Sequence, residues 1–587
     1  MAYNPPRRRQ DLPSMPEIVQ NIIKNVDNLP DLLNCARVSR IWHVEALRRL
    51  YEGSIHDMRF RTPDTSSLNF LLEESRECFA QNMSFVKHLL VCPITSGDDS
   101  SSSRHYQAAG YRRLLELLLQ PRGRRPTSLV IPFEFMGQDL QLLADLLPAP
   151  TVEFLAINHG YCQLVAPRIA SAQDKLSNLK ALTIYSSKFI ANVDSLCRLL
   201  DRCSLKFFHY SAPAPFAANN VAIPDATRLF EHIRRHGNLE ALVLNTARSS
   251  WVTQGPAGSA SEAANQQTPW PRLKLLHLSS CTEYWLRELR KFNNLTSLHL
   301  GLPAPYTPDI GKRIGDAIIP CRHLQEINFE LWALEDLNLI LELARACPLL
   351  RGVTIRLDNF IVIPQLTKPF LFDLLRELPR LELLDILYQG LNFCINGSDL
   401  ANISLYCPRL QVLLLPWVTL FLCYLDITRC YPQERLEIME FSRVLLRGCW
   451  RLMTPNRILI EWRRLFPRLR AMPCDMASFS FGADCVSFPC TVRRSGTGAS
   501  TENESDNGAD EDMTDNTQVG FPLGYSPDWE SFPRDFGAAL GYEEEVTFEM
   551  HDRIRHMWRT NIELELVGWP VVPLESFIDP NRQSSIP

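Results

Sequence analysis

The chain has 587 residues and a formal net charge of -5; 45% of its residues are hydrophobic and 22% are charged. This composition is ordinary for a globular protein with a large core, and the negative balance argues against nucleic acid as the main partner. The 17 cysteines include no Cys-x-x-Cys pair, and no charged-then-apolar leader opens the chain. We therefore expect a cytoplasmic or nuclear protein with no metal site. The most apolar run, residues 412–425, is too short for the roughly 20 residues that cross a bilayer, so no membrane contact is expected.

The N-terminal segment is predicted to contain a flexible basic stretch and then a small helical unit. Residues 1–11 include Arg7–Arg9, which we interpret as a solvated charge run rather than a nuclear address. Residues 12–55 show apolar residues at helical spacing in three short runs. Pro30 belongs in the first turn of the second helix, and Ser39 can cap the third.

One apolar pattern then returns along most of the chain: Leu, two residues, Leu, one residue, and a further apolar residue. It begins at Leu179, Leu205, Leu239, Leu273, Leu295, Leu324, Leu350, Leu381 and Leu410, with a Val152 variant and weaker matches at Val86 and Pro126. From Val152 to Leu410 the units average about 29 residues, which is typical of leucine-rich repeats. Amphipathic runs separate them. We therefore predict an α/β solenoid over residues 56–475, with one parallel concave sheet and helices outside.

Four further segments interrupt or follow this pattern. Residues 96–103 and 253–268 are rich in Gly, Ser, Ala and Gln, and we expect flexible loops there. Residues 495–520 contain seven acidic residues and no basic one between Glu502 and Asp515, which predicts a disordered acidic linker. Aromatic and apolar residues return over 521–587, so we expect a C-terminal tail packed on the solenoid.

The concave sheet face is the candidate binding surface for a protein substrate. The residue between the second Leu and the last apolar position of each unit points to that face. In chain order this row is Ala156, Thr183, His209, Val243, His277, His299, Asn328, Thr354, Asp385 and Leu414. Polar residues concentrate in its second half, and we expect exposed side chains there to bind substrate: His277, His299, Asn328, Thr354 and Asp385. An alternative of equal weight is that these side chains only keep the sheet surface hydrated or contact the C-terminal tail.

Residues 12–55 resemble the F-box. The residues that match are a Pro-Glu-Ile opening (Pro16–Ile18), Ile22, Asp31-Leu32-Leu33, and Val38-Ser39-x-x-Trp42; the Leu-Pro pair lies further upstream than usual. F-box first and repeats second is the arrangement of the leucine-rich-repeat F-box proteins, especially the large fungal set.

This resemblance implies a function without chemistry of its own. The F-box would bind the Skp-type adaptor of an SCF (Skp, cullin, F-box) ubiquitin ligase, and through it a cullin-RING ligase, while the repeats present an unknown protein substrate. The adaptor contacts it implies are Leu12, Pro13, Pro16, Ile18, Ile22, Leu32, Leu33, Val38 and Trp42, some of which would instead hold the three helices together. Two alternatives stay open: a helical cap on a repeat scaffold with no ubiquitin role, or an enzyme.

The enzyme alternative has little support in the sequence. His232 and His236 are four residues apart on a predicted helix, but no Glu follows the first His, as the zinc-protease pattern requires. No phosphate-binding loop, Gly-x-Ser-x-Gly elbow or kinase motif is present. We therefore expect no catalytic residue, cofactor or metal.

Overall fold

The computed structural model of the chain describes these residues: 16–24, 26, 29–52, 65–90, 127–130, 152–158, 178–185, 194–212, 229, 232–246, 270–279, 281, 283–302, 310–331, 338–357, 366–388, 391, 393–423, 432–447, 455–469 and 479–480. The segments 1–11, 96–103, 253–268, 495–520 and 521–587, about which the sequence makes predictions, lie outside them. Leu12 and Pro13 lie outside them as well.

The described residues begin with five helices. They are α1 (Pro16–Lys24), α2 (Leu29–Ala36), α3 (Arg40–Glu52), α4 (Thr65–Glu74) and α5 (Arg76–Met83). Pro30 lies in the first turn of α2, where a missing backbone N–H costs nothing. Ser39 directly precedes α3, and its carbonyl accepts from the amide of His43 at 2.8 Å. The three N-terminal helices therefore form where the sequence predicts them.

The strands form one sheet. They are β1 (His88–Leu90), β2 (Ser128–Val130), β3 (Phe154–Asn158), β4 (Ala181–Tyr185), β5 (Phe207–Ala212), β6 (Ala241–Thr246), β7 (Leu275–Leu278), β8 (Ser297–Leu302), β9 (Glu326–Leu331), β10 (Gly352–Leu357), β11 (Leu383–Tyr388), β12 (Cys394–Asn396), β13 (Val412–Cys423), β14 (Ile438–Arg447) and β15 (Phe479–Ser480). The sheet runs in chain order from β1 to β11 and then through β13, β14 and β15, while β12 pairs with β13. Every described pairing is parallel. This is the predicted leucine-rich-repeat architecture.

The repeated apolar residues build the core on one side of this sheet. In the unit that contains β11, Leu381, Leu384 and Ile386 are at most 2% exposed. Leu384 is in register with Val353 on β10 and Leu413 on β13, which occupy the same position in their own units. Since like positions meet across every strand pair, the apolar side chains of successive units form one continuous core.

Helices alternate with the strands along the chain. The remaining described ones are α6 (Asp194–Leu200), α7 (Glu283–Leu289), α8 (Ile310–Ile318), α9 (Asn338–Ala346), α10 (Lys368–Glu377), α11 (Gly397–Tyr406) and α12 (Pro455–Leu465). Each turns a narrow apolar face to the core; in α10 the buried residues are Leu371, Phe372, Leu374 and Leu375. None of the described helices has both the length and the apolar character needed to cross a bilayer.

The apolar run from Val412 is a strand with an irregularity rather than a helix. β13 is in register with β14 up to Leu415, and pairing resumes at Thr419 after a register shift. Pro416 falls in this interruption, where its missing N–H removes no ladder hydrogen bond. The irregularity leaves Trp417 42% exposed, whereas Leu414 and Leu420 on either side are buried.

Three cysteines occupy the same place in their units, three residues before the first repeat Leu. The thiol of Cys407 donates to the carbonyls of Leu375 and Leu378, both at 3.4 Å, in the preceding unit. Cys347 donates likewise to the carbonyl of Cys321 at 3.7 Å. Burial raises the pKa of the Cys407 and Cys321 thiols to about 12 and that of Cys347 to about 11. Each thiol thus donates to a backbone carbonyl in the last turn of the preceding unit's helix or just after its end.

Because the thiolate is the reactive form, these three cysteines should resist alkylation. In the native protein at pH 8, iodoacetamide should label the exposed Cys78 and Cys394 more than about tenfold faster than Cys321, Cys347 and Cys407. Peptide mass spectrometry over a time course measures the rates, and urea-unfolded protein is the control in which all five react. Native labelling of Cys407 as fast as Cys394 would contradict the burial described here.

Candidate protein-binding surfaces

The N-terminal helical unit, α1 to α3, has a small core of its own. Val19, Ile23, Leu32 and Ala46 are between 1% and 4% exposed and contact one another. Trp42 is half-buried against this cluster. Leu32, which the F-box resemblance includes among adaptor contacts, therefore stabilises the unit from within, and Trp42 does so in part.

Four other residues of that set remain on the outside of the unit. Ile18 is 51% exposed, Ile22 44%, Leu33 46% and Val38 63%. Ile18 and Ile22 are one helical turn apart on α1 and share a face, while Val19 and Ile23 point to the core. The apolar residues of α1 thus form two stripes, one buried and one open to solvent. Pro16 is exposed at the start of α1.

The helical unit is joined to the first strand by α3. The carbonyl of Glu52, the last residue of α3, accepts from the amide of Lys87 at 3.1 Å, and the two side chains form an ion pair. Tyr51 packs on the solenoid core. The guanidinium of Arg48 lies 5.9 Å from the ring centroid of Phe85. Backbone and side-chain contacts together fix the end of α3 at the first strand.

The ten residues of the predicted inner row are cross-strand neighbours. The register pairs each with the next, from Ala156 and Thr183 through to Asp385 and Leu414. The structure extends the row to Glu440 on β14, which pairs with Leu414. Residues 436–441 (LEIMEF) carry the same spacing with Met in place of the second Leu, a signal that could have revealed this further unit.

The polar half of the row is more buried than the sequence suggests. His277 is 3% exposed, His299 5%, Thr354 8% and Asp385 0%, while Asn328 is partly exposed. Side chains on adjacent strands stand about 5 Å apart, so each is flanked by neighbours on both sides. The expectation of freely exposed side chains was therefore wrong for four of the five residues. Their role in substrate binding remains a prediction.

His277 and His299 meet directly, as lateral neighbours should. Their rings stack with centroids 3.8 Å apart and planes inclined by 21°. Oε1 of Glu330 lies 3.4 Å from Nε2 of His299 and 3.5 Å from Nη1 of Arg356. The side chains of Glu330 and Arg356 are 32% and 26% exposed, so this carboxylate and this guanidinium are the accessible charges beside the histidine pair.

The other half of the inner face is mostly apolar, although Thr183 and His209 of the inner row lie in it. Phe154, Ala156, Ala181, Phe207, Ala241, Val243 and Leu275 form a cluster separate from the main core. The cluster spans β3 to β7, and Val130 of β2 packs against it. The inner face therefore changes from apolar to polar at β7, where Leu275 and His277 lie on the same strand. The repeat pattern predicts the polar half, whereas the extent of the apolar half follows only from the structure.

Possible metal ligands do not group together among the described residues. Among the described residues, no three His, Cys, Asp or Glu side chains are grouped so that they could hold a metal ion. His232 instead contacts the preceding unit, with Nδ1 2.7 Å from Oδ1 of Asp201. Burial lowers the pKa of His236, with Asp201 opposing this effect.

Comparisons with known proteins give structural likeness only. No protein-family model matches the chain, and neither does any curated protein. A leucine-rich-repeat protein of Leptospira interrogans is 14% identical with a TM-score of 0.30, covering 67% of this chain and 90% of its own. The yeast complex of Rad7 and Elc1 is 13% identical with a TM-score of 0.33, covering 70% of this chain and 87% of its own. A protein of Bacteroides fragilis is 10% identical with a TM-score of 0.21, covering 56% of this chain and 75% of its own. At these values the fold assignment rests on the repeat pattern and strand register described above.

The first inner-face histidine, His88 on β1, makes stability depend on pH. Burial lowers its pKa to about 4, with Glu52 opposing and Lys87 adding to the effect. The unfolded chain, with a pKa of about 6.5, therefore binds a proton that the folded chain does not take up until pH 4. The contribution of neutral His88 to the free energy of unfolding is complete above pH 6.5. About 3 kcal/mol of this stability is lost as the pH falls from 6.5 to 4.

Replacing His88 by Gln should flatten the fall in the free energy of unfolding between pH 6.5 and pH 4. Urea unfolding followed by circular dichroism at several pH values measures this slope. The control is His323→Gln, which removes an exposed histidine. Equal slopes in the parent protein and His88→Gln would show that His88 is not the buried neutral group.

Proposed function

We propose that the chain is the substrate-recognition subunit of an SCF-type ubiquitin ligase. Residues 12–55 act as an F-box that binds a Skp-type adaptor and through it a cullin-RING ligase, and the repeats bind a protein substrate. The observation that carries this proposal is the exposed apolar group Ile18, Ile22, Leu33 and Val38, on a helical unit that already has its own core.

The same observation weighs against the alternative of a simple cap on a repeat scaffold. A capping unit protects the end of a solenoid and presents a polar outer face. The unit does contact the first strand through Tyr51 and Glu52, as a cap would. The unit, however, exposes four large aliphatic side chains, and two of them, Ile18 and Ile22, share one face of α1, where a cap would present polar residues. Burying each half-exposed side chain contributes roughly 1 kcal/mol before association costs.

The proposed role needs no catalysis by this chain. Binding a target on the repeats and the adaptor on α1–α3 raises the concentration of target lysines near a charged ubiquitin-conjugating enzyme. The contacts between α3 and the first strand support this role, because they prevent the two binding surfaces from moving independently. We accordingly propose that the protein is not an enzyme and requires no cofactor.

Substrate binding is proposed for the polar half of the inner face, from β7 to β11. Glu326, Asn328, Glu330 and Arg356 are its partly exposed members. The hydroxyl of Ser297 donates to Oε2 of Glu326 at 2.7 Å, which orients that carboxylate. Polar groups fixed in this way suit selective recognition of a partner, since an unmatched ligand leaves them desolvated without hydrogen bonds.

Adaptor binding should depend on the exposed apolar residues of the helical unit, which include Ile22 and Leu33. The full-length double variant Ile22→Asp/Leu33→Asp should lose co-purification with a Skp-type adaptor, because burying two unpaired carboxylates at an apolar interface is costly. Since both residues are exposed, the thermal unfolding of the protein should be unchanged. The matched control is Phe70→Asp on α4, which replaces a 66% exposed apolar residue outside the unit and should retain binding. Adaptor capture by the folded double variant would refute the F-box role.

Substrate capture should depend on the accessible polar residues of the inner face. Once proximity labelling has identified a substrate, Asn328→Ala/Arg356→Gln should reduce its capture by about tenfold, as loss of charged and amide hydrogen bonds predicts. These positions are preferred to Asp385, whose complete burial would confound binding with stability. Lys312→Gln/Asn402→Ala, on the outer helices α8 and α11, makes the same chemical changes at exposed positions. Equal capture by both double variants would move recognition away from this face.

A further inference from the structure

A second, basic surface runs along the edge of the sheet where the strands begin. From Leu239 onward, a two-residue turn ends directly before the first Leu of each described unit. The second residues of these turns are Asn238, Arg272, Asn294, His323, Leu349, Arg380, Arg409, Arg435 and Arg468. All of them except Leu349 are exposed. Because the units stack in constant register, these residues form a row, which we name the turn row.

The arginines of the turn row have no ion-pair or hydrogen-bond partner among the described residues. The neighbouring row, one residue after each repeat Leu, is different. There Lys180 pairs with Glu153 at 2.8 Å, Lys274 with Glu240 at 2.9 Å and Arg351 with Glu382 at 2.7 Å. Charges in the neighbouring row are thus neutralised within the protein, whereas the turn-row guanidiniums, which suit two-pronged binding of carboxylates, face solvent.

A pocket of about 390 Å³ lies between the two rows. Four consecutive turn-row residues line one side, and four consecutive residues of the neighbouring row line the other: Arg272, Asn294, His323 and Leu349 opposite Glu240, Lys274, Thr296 and Gln325. The pocket is therefore a groove that the repeat itself creates, and the turn row continues beyond it with Arg380, Arg409 and Arg435.

The carboxylate in this groove does not make it acidic. Burial raises the pKa of Glu240, but hydrogen bonds and charge from Lys274 and Lys206 outweigh burial and leave that pKa below its usual value. At neutral pH the ionised Glu240 is shared by two ammonium groups, Lys274 at 2.9 Å and Lys206 at 3.4 Å. With Arg272 added, positive charge predominates, and Asn294, Thr296 and Gln325 add neutral polar groups.

We propose that this groove and the turn row bind an acidic, extended segment of a partner protein. Carboxylates on alternate residues of an extended chain are about 6.7 Å apart, and successive turns are about 5 Å apart, a difference that long arginine side chains absorb. Leu349 offers an apolar contact within the groove. A nucleic-acid backbone fits less well, because it carries a charge at every nucleotide, whereas a peptide can place neutral residues opposite Glu434 and Glu437, which flank Arg435. The surface is separate from the exposed apolar residues of α1–α3 and from the inner face. The inference therefore does not depend on the proposed function.

The test measures binding of a fluorescein-labelled peptide of alternating Glu and Ser, 20 residues or so in length, to the full chain by fluorescence polarisation. A Gln-Ser peptide of the same length and a single-stranded oligonucleotide serve as comparison probes. We expect the acidic peptide alone to bind, with an affinity that falls as salt is raised. The triple variant Arg380→Gln/Arg409→Gln/Arg435→Gln should weaken binding by about tenfold, since three exposed charge contacts are removed.

The matched control removes the same net charge elsewhere. Arg198→Gln/Arg202→Gln/Arg457→Gln changes three exposed arginines on or beside the helices α6 and α12, and binding should change less than about twofold. An equal loss in both triple variants would reduce the effect to net charge and overturn the proposal. Tighter binding of the oligonucleotide than of the acidic peptide would overturn it too. So would peptide binding that appears only when residues 502–515 are deleted, since the groove would then belong to the chain's own acidic segment.

Discussion

One backbone hydrogen bond, repeated at the start of strands β1 to β11, β13 and β14, sets the geometry of the sheet. The amide of Lys180 donates to the carbonyl of Glu153 at 2.8 Å, that of Lys206 to Lys180 at 2.8 Å, and that of Glu240 to Lys206 at 2.7 Å. The same bond recurs in later units, for example from Glu382 to Arg351 at 2.7 Å. It fixes the register between neighbours, and a slip of one residue would turn the core leucines to the opposite face. The core, the inner face and the turn row all depend on it.

The fold could be predicted because its determinants are local and periodic. Each strand from β1 to β11, and the start of β13, lies where the spacing of two Leu and a third apolar residue places it, since those three side chains must share one buried side. Most turn-row arginines can also be recognised in the sequence, because the tripeptide Pro-Arg-Leu recurs at Pro271, Pro379, Pro408 and Pro467. Their significance needed the structure, which separates them from the ion-paired row beside them.

Features that depend on distant neighbours could not be predicted. Ile22 and Ile23 are adjacent and chemically identical, and only the position of α3 decides that Ile23 is buried and Ile22 exposed. Asp385 is a charged residue in the inner-face row, where exposure was expected, but side chains from β10 and β13 flank it in the sheet. The alignment of the row was thus predicted correctly and its exposure was not, because spacing determines the direction of a side chain while burial depends on what adjacent strands contribute.

The ladder of strand-start bonds begins at Glu52, which belongs to a helix and not to a repeat. The helical unit consequently supplies the first acceptor in the series of backbone hydrogen bonds that aligns the strands. From β1 to β14 that series advances by twelve strand spacings of about 4.8 Å, or about 60 Å in all. The distance along the sheet from the helical unit to a given inner-face residue is therefore set by the number of repeats between them. Adding or removing one whole repeat would change that distance by one strand spacing and leave the attachment of the helical unit unaltered.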